Sequence, residues 1–193
     1  MTRQTHVIFG TGPVGCWIAR TLVDQDLPVR AINRSGSRPG LMPEAVEMVA
    51  ADAADAAQAI AAANGAAVVY QALNPPYHQW HRFFPALQVG ALAAASETGA
   101  RYVSIDNLYM YDSANPITED APVRPRSKKG ELRARMAAEV LAAHERADIQ
   151  ATVLRASDYY GPGVTGSALG EMVFGNLVEG KKAQLGGSAS TCL

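Results

Sequence analysis

Thr5-His6-Val7-Ile8-Phe9-Gly10-Thr11-Gly12-Pro13-Val14-Gly15 is the stretch on which the reading of the fold turns. Thr5 to Phe9 is a short apolar run of strand type, and glycines follow at 10, 12 and 15 in the spacing G-x-G-x-x-G. A helix from about Pro13 to Asp24 comes next, with proline at its first position, where the missing N–H costs nothing. Each glycine has a task in such a turn. Gly10 permits the tight bend, Gly12 lets a pyrophosphate approach the backbone, and Gly15 lets the helix pack closely on the strand. The turn Gly10, Thr11, Gly12, Pro13, Val14, Gly15 therefore predicts dinucleotide binding, with free amides of the helix start aimed at the anion.

Working outward, short apolar runs alternate with alanine-rich helical stretches, which predicts βαβ units on a parallel sheet. Strands are expected at Pro28 to Ile32, Glu47 to Ala50, Ala67 to Tyr70, Tyr102 to Ile105 and Gln150 to Leu154. Ala53 to Ala63 reads as a helix closed by Asn64-Gly65. Trp80, Phe84, Leu87, Ala91 and Ala94 share one face of a helix that Gly99 ends. Lys129 to Arg146 is a long amphipathic helix, and Ser167 to Glu179 a further one. The expected fold is α/β: a doubly wound parallel sheet of about six strands, the Rossmann fold, flanked by helices. Two loops stand out, Arg34 to Pro43 and the proline-bearing Tyr111 to Lys128; the second is long enough to suggest a functional or mobile segment.

Composition narrows the function classes. The 193 residues carry 17 Lys plus Arg against 18 Asp plus Glu, a net charge of −1, which argues against a nucleic-acid surface. With 48% hydrophobic and 18% charged residues, the chain has the material for a core. Cys16 and Cys192 form neither a disulfide framework nor a metal cluster. His78 and His81, three apart and without a carboxylate partner, read as surface or capping histidines rather than zinc ligands. No apolar run is long enough to span a membrane, and no signal peptide is read at the N-terminus, so a cytoplasmic setting is expected.

The end of the second strand chooses between the two nicotinamide dinucleotides. It reads Asn33-Arg34-Ser35, then Arg38, with no acidic residue. A carboxylate there would hold a ribose 2′-hydroxyl, whereas a guanidinium pairs with a 2′-phosphate, so NADP is expected in preference to NAD.

These residues together resemble the short-chain dehydrogenase/reductases, in the extended and atypical branch of NAD-dependent epimerase/dehydratases. The resemblance runs from Thr5 to about Lys182. It rests on the glycine turn, Asn33-Arg34, Asp52, Ala72-Leu73-Asn74-Pro75 and Asn107-Leu108-Tyr109-Met110-Tyr111. Its most branch-specific part is Arg155-Ala156-Ser157-Asp158-Tyr159-Tyr160-Gly161-Pro162-Gly163. The resemblance implies that Asp52 contacts the adenine amine and that Ala72, Leu73 and Asn74 line the cofactor ribose. Asp52 is equally well read as the N-cap of the Ala53 helix.

Chemistry in that family needs Tyr-x-x-x-Lys on one helix face, and the chain contains no such pair. Pro122, Pro125, Ser127 and Gly130 match the motif's surroundings, which puts Lys129 in the place of the Tyr and Arg133 in the place of the Lys. Asn107 stands where the family has its serine. Arg133 can still bond the nicotinamide ribose but has no tunable pKa. Lys129 is either a depressed-pKa donor or a solvated lysine, and Tyr109 and Tyr111 are the remaining acid candidates, or simply packing aromatics.

Two functions follow from this reading. One is an NADP-using oxidoreductase or epimerase with a non-standard acid, acting on a small carbonyl or nucleotide-sugar-like substrate. The other is a non-catalytic NADP(H)-binding sensor or partner-binding protein. The resemblance also implies a homodimer through the helices at 80–98 and 129–146. Residues 1–182 are expected to be the nucleotide-binding domain and 183–193 a short tail, with most of the family's substrate domain missing.

Overall fold

The computed structural model describes residues 5–112, 117–167 and 169–184. Six strands, β1 (Thr5–Phe9), β2 (Val29–Asn33), β3 (Glu47–Ala50), β4 (Ala66–Gln71), β5 (Arg101–Asn107) and β6 (Gln150–Ala156), form one sheet. Their order is β3-β2-β1-β4-β5-β6, and every neighbouring pair is parallel. Strand order reverses between β1 and β4, so the crevice outside the carboxyl ends of those strands is the place where such a sheet binds ligand.

Helix α1 (Pro13–Val23) covers one face, and α2 (Ala56–Ala62), α3 (Trp80–Thr98) and α4 (Lys128–Glu145) cover the other. The two-residue period of the strands divides the core between these layers. Ile8 and Ala31 pack with Cys16, Ala19 and Leu22 of α1. Val7, Phe9, Ile32, Val69 and Tyr102 pack with Ala59, Ala91, Ala94 and Val140 from the other three helices. The alanine face of α3 brings its backbone close, and a methyl at Gly90 would lie 1.9 Å from the Ala53 carbonyl oxygen.

Three expectations are corrected. The second helix begins at Ala56 rather than Ala53, because Asp55 is its N-cap, accepting from the Ala57 and Gln58 amides. Asp52 is therefore not the cap; it sits one turn earlier and accepts from Ala54 N at 2.9 Å. The helix expected over Ser167 to Glu179 is a π-helical turn, Gly170–Gly175, running into one short turn, α5 (Asn176–Val178). Glycines at both ends of the first turn and β-branched Val173 inside it give little local drive for a regular α-helix. In the long loop before α4, Tyr111 bridges Val123 in antiparallel fashion and Arg124 N donates to Met110 O, so its described part is folded back on itself. Residues 113–116 of that loop lie outside the described residues, as do 185–193 of the tail and Cys192 with them.

Candidate active site

Gly10 leaves β1 with φ of +103°, a conformation that side-chain-bearing residues rarely adopt. It lies directly against the end of β4: a methyl there would stand 2.6 Å from the Ala72 carbonyl oxygen. Ala72 N in turn donates to Phe9 O at 2.8 Å. Gly15 sits over the turn it closes, and a methyl on it would stand 2.0 Å from Gly10 O. Gly12 differs from both. It is extended (φ −69°, ψ 179°), and among the described residues nothing lies within 4 Å of where its methyl would be and no side chain caps the helix it starts. The first turn of α1 thus presents its amides to an open face.

Asn33 joins this turn to the loop after β2. Its amide donates to Thr11 Oγ1 at 2.9 Å and to Ser37 O at 2.8 Å, while its carbonyl oxygen accepts from Ser35 N and Oγ. Arg34 is exposed and makes no hydrogen bond or ion pair among the described residues. Arg38 is occupied: it donates to the Pro43 carbonyl, to Val46 O at 2.8 Å, and lies 3.8 Å from Glu44. The two arginines that read alike in sequence are therefore not alike in space.

A cavity of about 370 Å³ runs from this turn along the carboxyl ends of the strands. Gly12, Pro13 and Val14 line one end, and Ala72, Leu73 and Asn74 the wall beside it. Ile105, Asp106 and Asn107 form the floor, while Tyr77, Trp80, Phe84, Tyr109 and Arg133 close the far end. Ser157 to Tyr159 and Gly163 to Ser167 supply the opposite side. That side is tied down on α1, where Trp17 Nε1 donates to Pro162 O at 3.1 Å.

Arg133 and Asp106, 2% and 3% exposed, are an ion pair buried in the cavity wall. Arg133 Nε donates to Asp106 Oδ1 at 2.7 Å and its Nη2 bonds the same oxygen; the guanidinium lies over Phe84, 4.5 Å from the ring centre. Arg155 stands 4.0 Å from the other Asp106 oxygen. The Tyr159 hydroxyl donates to Asp106 O at 2.5 Å, and burial, followed by the Asp106 charge, pushes that phenol up to about 12. Tyr102 lies beneath, fully buried and with no hydrogen-bond partner for its hydroxyl among the described residues, and burial drives its pKa upward.

The sequence candidates separate at this point. Tyr109, Asn107 and Arg133 line the cavity together. Tyr111 does not: it packs with Met110 and Ala137 under the guanidinium of Arg155 and is withdrawn as an acid candidate. Lys129 does not line the cavity either, but its ammonium sits on the ring of Tyr77, which does. Tyr77 and Asp106 are among the site residues that sequence reading misses. Tyr77 follows two prolines in a loop without a motif, and Asp106 falls just beyond the apolar run that marks β5.

A family described as NAD(P)H-binding matches residues 10–168, well over half of the chain. The chain belongs to that family. The match takes in the glycine turn, the β2 end and the whole cavity wall as far as Ser167. The turn fits a dinucleotide on its own geometry: Gly10 and Gly15 are filled by neighbouring backbone, and Gly12 keeps the approach to the free amides open.

Solved structures share the fold at low sequence identity. A UDP-galactose 4-epimerase superposes with a TM-score of 0.76 at 19% identity, covering 91% of this chain and 63% of that one. The Bordetella bronchiseptica enzyme WbmH, in complex with NAD+, gives 0.75 at 19% identity, covering 93% and 64%. WbmG of the same organism, in complex with NAD and UDP, gives 0.73 at 16% identity, covering 92% and 60%. The chain thus spans less than two thirds of the length of each of these structures. No curated protein sequence matches it. Among the described residues no helix is long and apolar enough to cross a membrane, and no cluster of metal-ligating side chains occurs.

Proposed function

We propose that this NAD(P)H-binding chain is an atypical NADP(H)-dependent oxidoreductase or epimerase, acting on a small carbonyl compound or a nucleotide-sugar-like molecule. The observation that carries this reading is the continuous cavity that joins the open helix start at Gly12 to Val14 to a far wall holding Tyr109 and Arg133. When bound, the dinucleotide supplies or takes up hydride. In this reading Gly10, Thr11, Gly12, Pro13, Val14 and Gly15 hold its pyrophosphate, Ala72, Leu73 and Asn74 lie along the ribose, and Asp52 faces the adenine amine. Arg34, helped by Ser35 and positioned by Asn33, pairs with the 2′-phosphate. Arg133 bonds the nicotinamide end without moving a proton, since a guanidinium keeps its charge at every working pH. Asn107 donates to the substrate oxygen, Tyr109 belongs to the group that handles its proton, and Lys129 supplies positive charge beside them.

Residues 1–182 form the dinucleotide-binding domain in this reading, in a reducing, cytoplasmic setting that suits the buried free thiol of Cys16. The chain pairs with a second copy through α3 and α4, whose Val89 and Leu141 are exposed. Light scattering at twice the chain mass supports that pairing, and a monomer at micromolar concentration refutes it.

A second reading, a non-catalytic NADP(H) sensor, draws on one observation: the residue in the lysine position, Arg133, is already neutralised by Asp106. Incubation with NADPH deuterated at the reactive ring carbon and a panel of aldehydes, ketones and nucleotide sugars separates the two. Stereospecific deuterium in an alcohol product supports the oxidoreductase, and a changed configuration in a nucleotide sugar supports the epimerase; tight NADPH binding with neither outcome for any panel member supports the sensor.

A further inference from the structure

Three separate elements converge on Tyr77. The residue opens a 3₁₀ turn, Tyr77–Gln79, directly after Pro75 and Pro76, and lines the far end of the cavity while 55% exposed to solvent. Its ring meets Trp80 edge-on at 5.0 Å and Tyr109 at 6.4 Å and 88°. Trp80 is itself fixed, because its indole N–H donates to Pro75 O at 3.0 Å and its ring stacks on Tyr109 at 5.9 Å. From the third side comes α4, whose Lys129 ammonium sits 3.6 Å from the centre of the Tyr77 ring. The first turn of α4 can come so near because residue 130 is glycine: a methyl there would lie 2.3 Å from the Tyr109 carbonyl oxygen.

We propose that Tyr77 is the catalytic residue that transfers the proton in this cavity, with Lys129 and Tyr109 as its positioning residues. The proposal rests on the oxidoreductase reading above and assigns the acid that the missing Tyr-x-x-x-Lys pair leaves open. A cation over an aromatic face is attracted to the ring, and the attraction grows when the phenol becomes a phenolate. Tyr109 is suited to keep its own proton. Burial first, then the neighbouring Tyr77, then Asp158, push it up to about 12, and its ring packs edge-on against Tyr77.

The step balances in the reductive direction. The Tyr77 O–H bond breaks and its proton goes to the substrate carbonyl oxygen, while the carbonyl carbon receives the hydride that the reduced dinucleotide provides. The product is the alcohol, and the electron pair left on the Tyr77 oxygen is stabilised by Lys129 and Tyr109. Solvent reaching the exposed Tyr77 returns the proton.

Two measurements test this. With NADPH and the best substrate of the carbonyl panel, Tyr77→Phe is expected to lower kcat by about 10²–10⁴-fold with KM little changed. Lys129→Met is expected to lower kcat and Lys129→Arg to restore most of it. Tyr109→Phe is expected to cost less than Tyr77→Phe. A Tyr77→Phe variant as active as the wild type, or a Tyr109→Phe variant that alone abolishes turnover, overturns the assignment while leaving the oxidoreductase reading intact. A wild type that reduces nothing in the panel sinks the oxidoreductase reading itself. The second measurement uses the NADPH-free protein carrying tyrosine labelled with carbon-13 at Cζ. The Tyr109 resonance should titrate near 12 in the wild type and about 0.5 pH unit or more lower in Tyr77→Phe. An unmoved Tyr109 titration means that the two hydroxyls are not coupled, and overturns the pairing.

Discussion

A methyl group added at Gly15 would lie 2.0 Å from the Gly10 carbonyl oxygen, whereas one added at Gly12 meets nothing within 4 Å. One turn therefore offers two different experiments. Gly15→Ala is expected to lose about 3 kcal/mol of stability or more through overpacking against backbone, read by urea denaturation. Gly12→Ala, in a conformation open to alanine, should change stability by no more than about 0.5 kcal/mol yet weaken NADPH binding roughly tenfold or more. Equal stability losses for the two would mean that Gly12 serves the fold and not the ligand. Arg34 supplies the next prediction. Arg34→Ala should weaken NADPH by about 10–100-fold in calorimetry while leaving NADH unchanged, since only the 2′-phosphate carries the lost charge-assisted bond. A parallel loss for both dinucleotides would place Arg34 elsewhere in the site. The glycine spacing was readable because each position answers a steric or approach requirement that no other residue meets. Arg34 and Arg38 were not separable in the same way, because only the folded loop hands Arg38 to the Pro43 and Val46 carbonyls.

At the scale of the element, α2 shows how a cap can be misassigned. Asp52 and Asp55 both precede an alanine run, and alanine favours helix from either start, so propensity cannot choose between them. The choice is made by Gln58, which donates to Asp55 Oδ2 and accepts from Asp52 N, binding both ends of the turn. Its side chain, then its amide, hold the Asp55 pKa below the usual carboxylate value. A depressed folded-state pKa means a contribution that is complete above the unfolded-state value and lost as pH falls through the folded one. Asparagine caps about as well but does not titrate. The stability difference between wild type and Asp55→Asn, followed by urea midpoints from pH 6 to pH 3, should therefore narrow as pH falls. A constant gap would show that the carboxylate charge contributes nothing at this helix start. Strands were more legible than helix starts: β1 to β6 lie where apolar runs put them, and β4, β5 and β6 gain a residue or more at their ends. Those added ends carry Gln71, Asp106 and Arg155, polar residues that no hydrophobic pattern could have claimed.

For the whole molecule, alternation of strand and helix sufficed for a parallel sheet, and the right-handed crossover rule leaves few orders for one. The site was legible only on the glycine side, where chain-local geometry makes the chemistry. Its far wall draws Tyr77, Tyr109 and Arg133 from three separate elements, with Lys129 of α4 behind Tyr77, and no local pattern announces such a meeting. Ligand binding should nevertheless register globally, because a dinucleotide that binds only the folded chain stabilises all of it. At about 100 times Kd the gain is about 2.7 kcal/mol, which for a chain of this size raises Tm by roughly 5–10 °C. Absence of any rise with either NADPH or NADH would refute dinucleotide binding by this chain. One contact has an engineering consequence. Gly10 presses on the Ala72 carbonyl so closely that the two loop starts act as one mechanical part, although 62 positions separate them in the chain (72 − 10). A designer who transplants residues 10–15 alone onto another sheet brings half of a fitted joint; the recipient must also receive the exit of β4, or supply a backbone of the same shape.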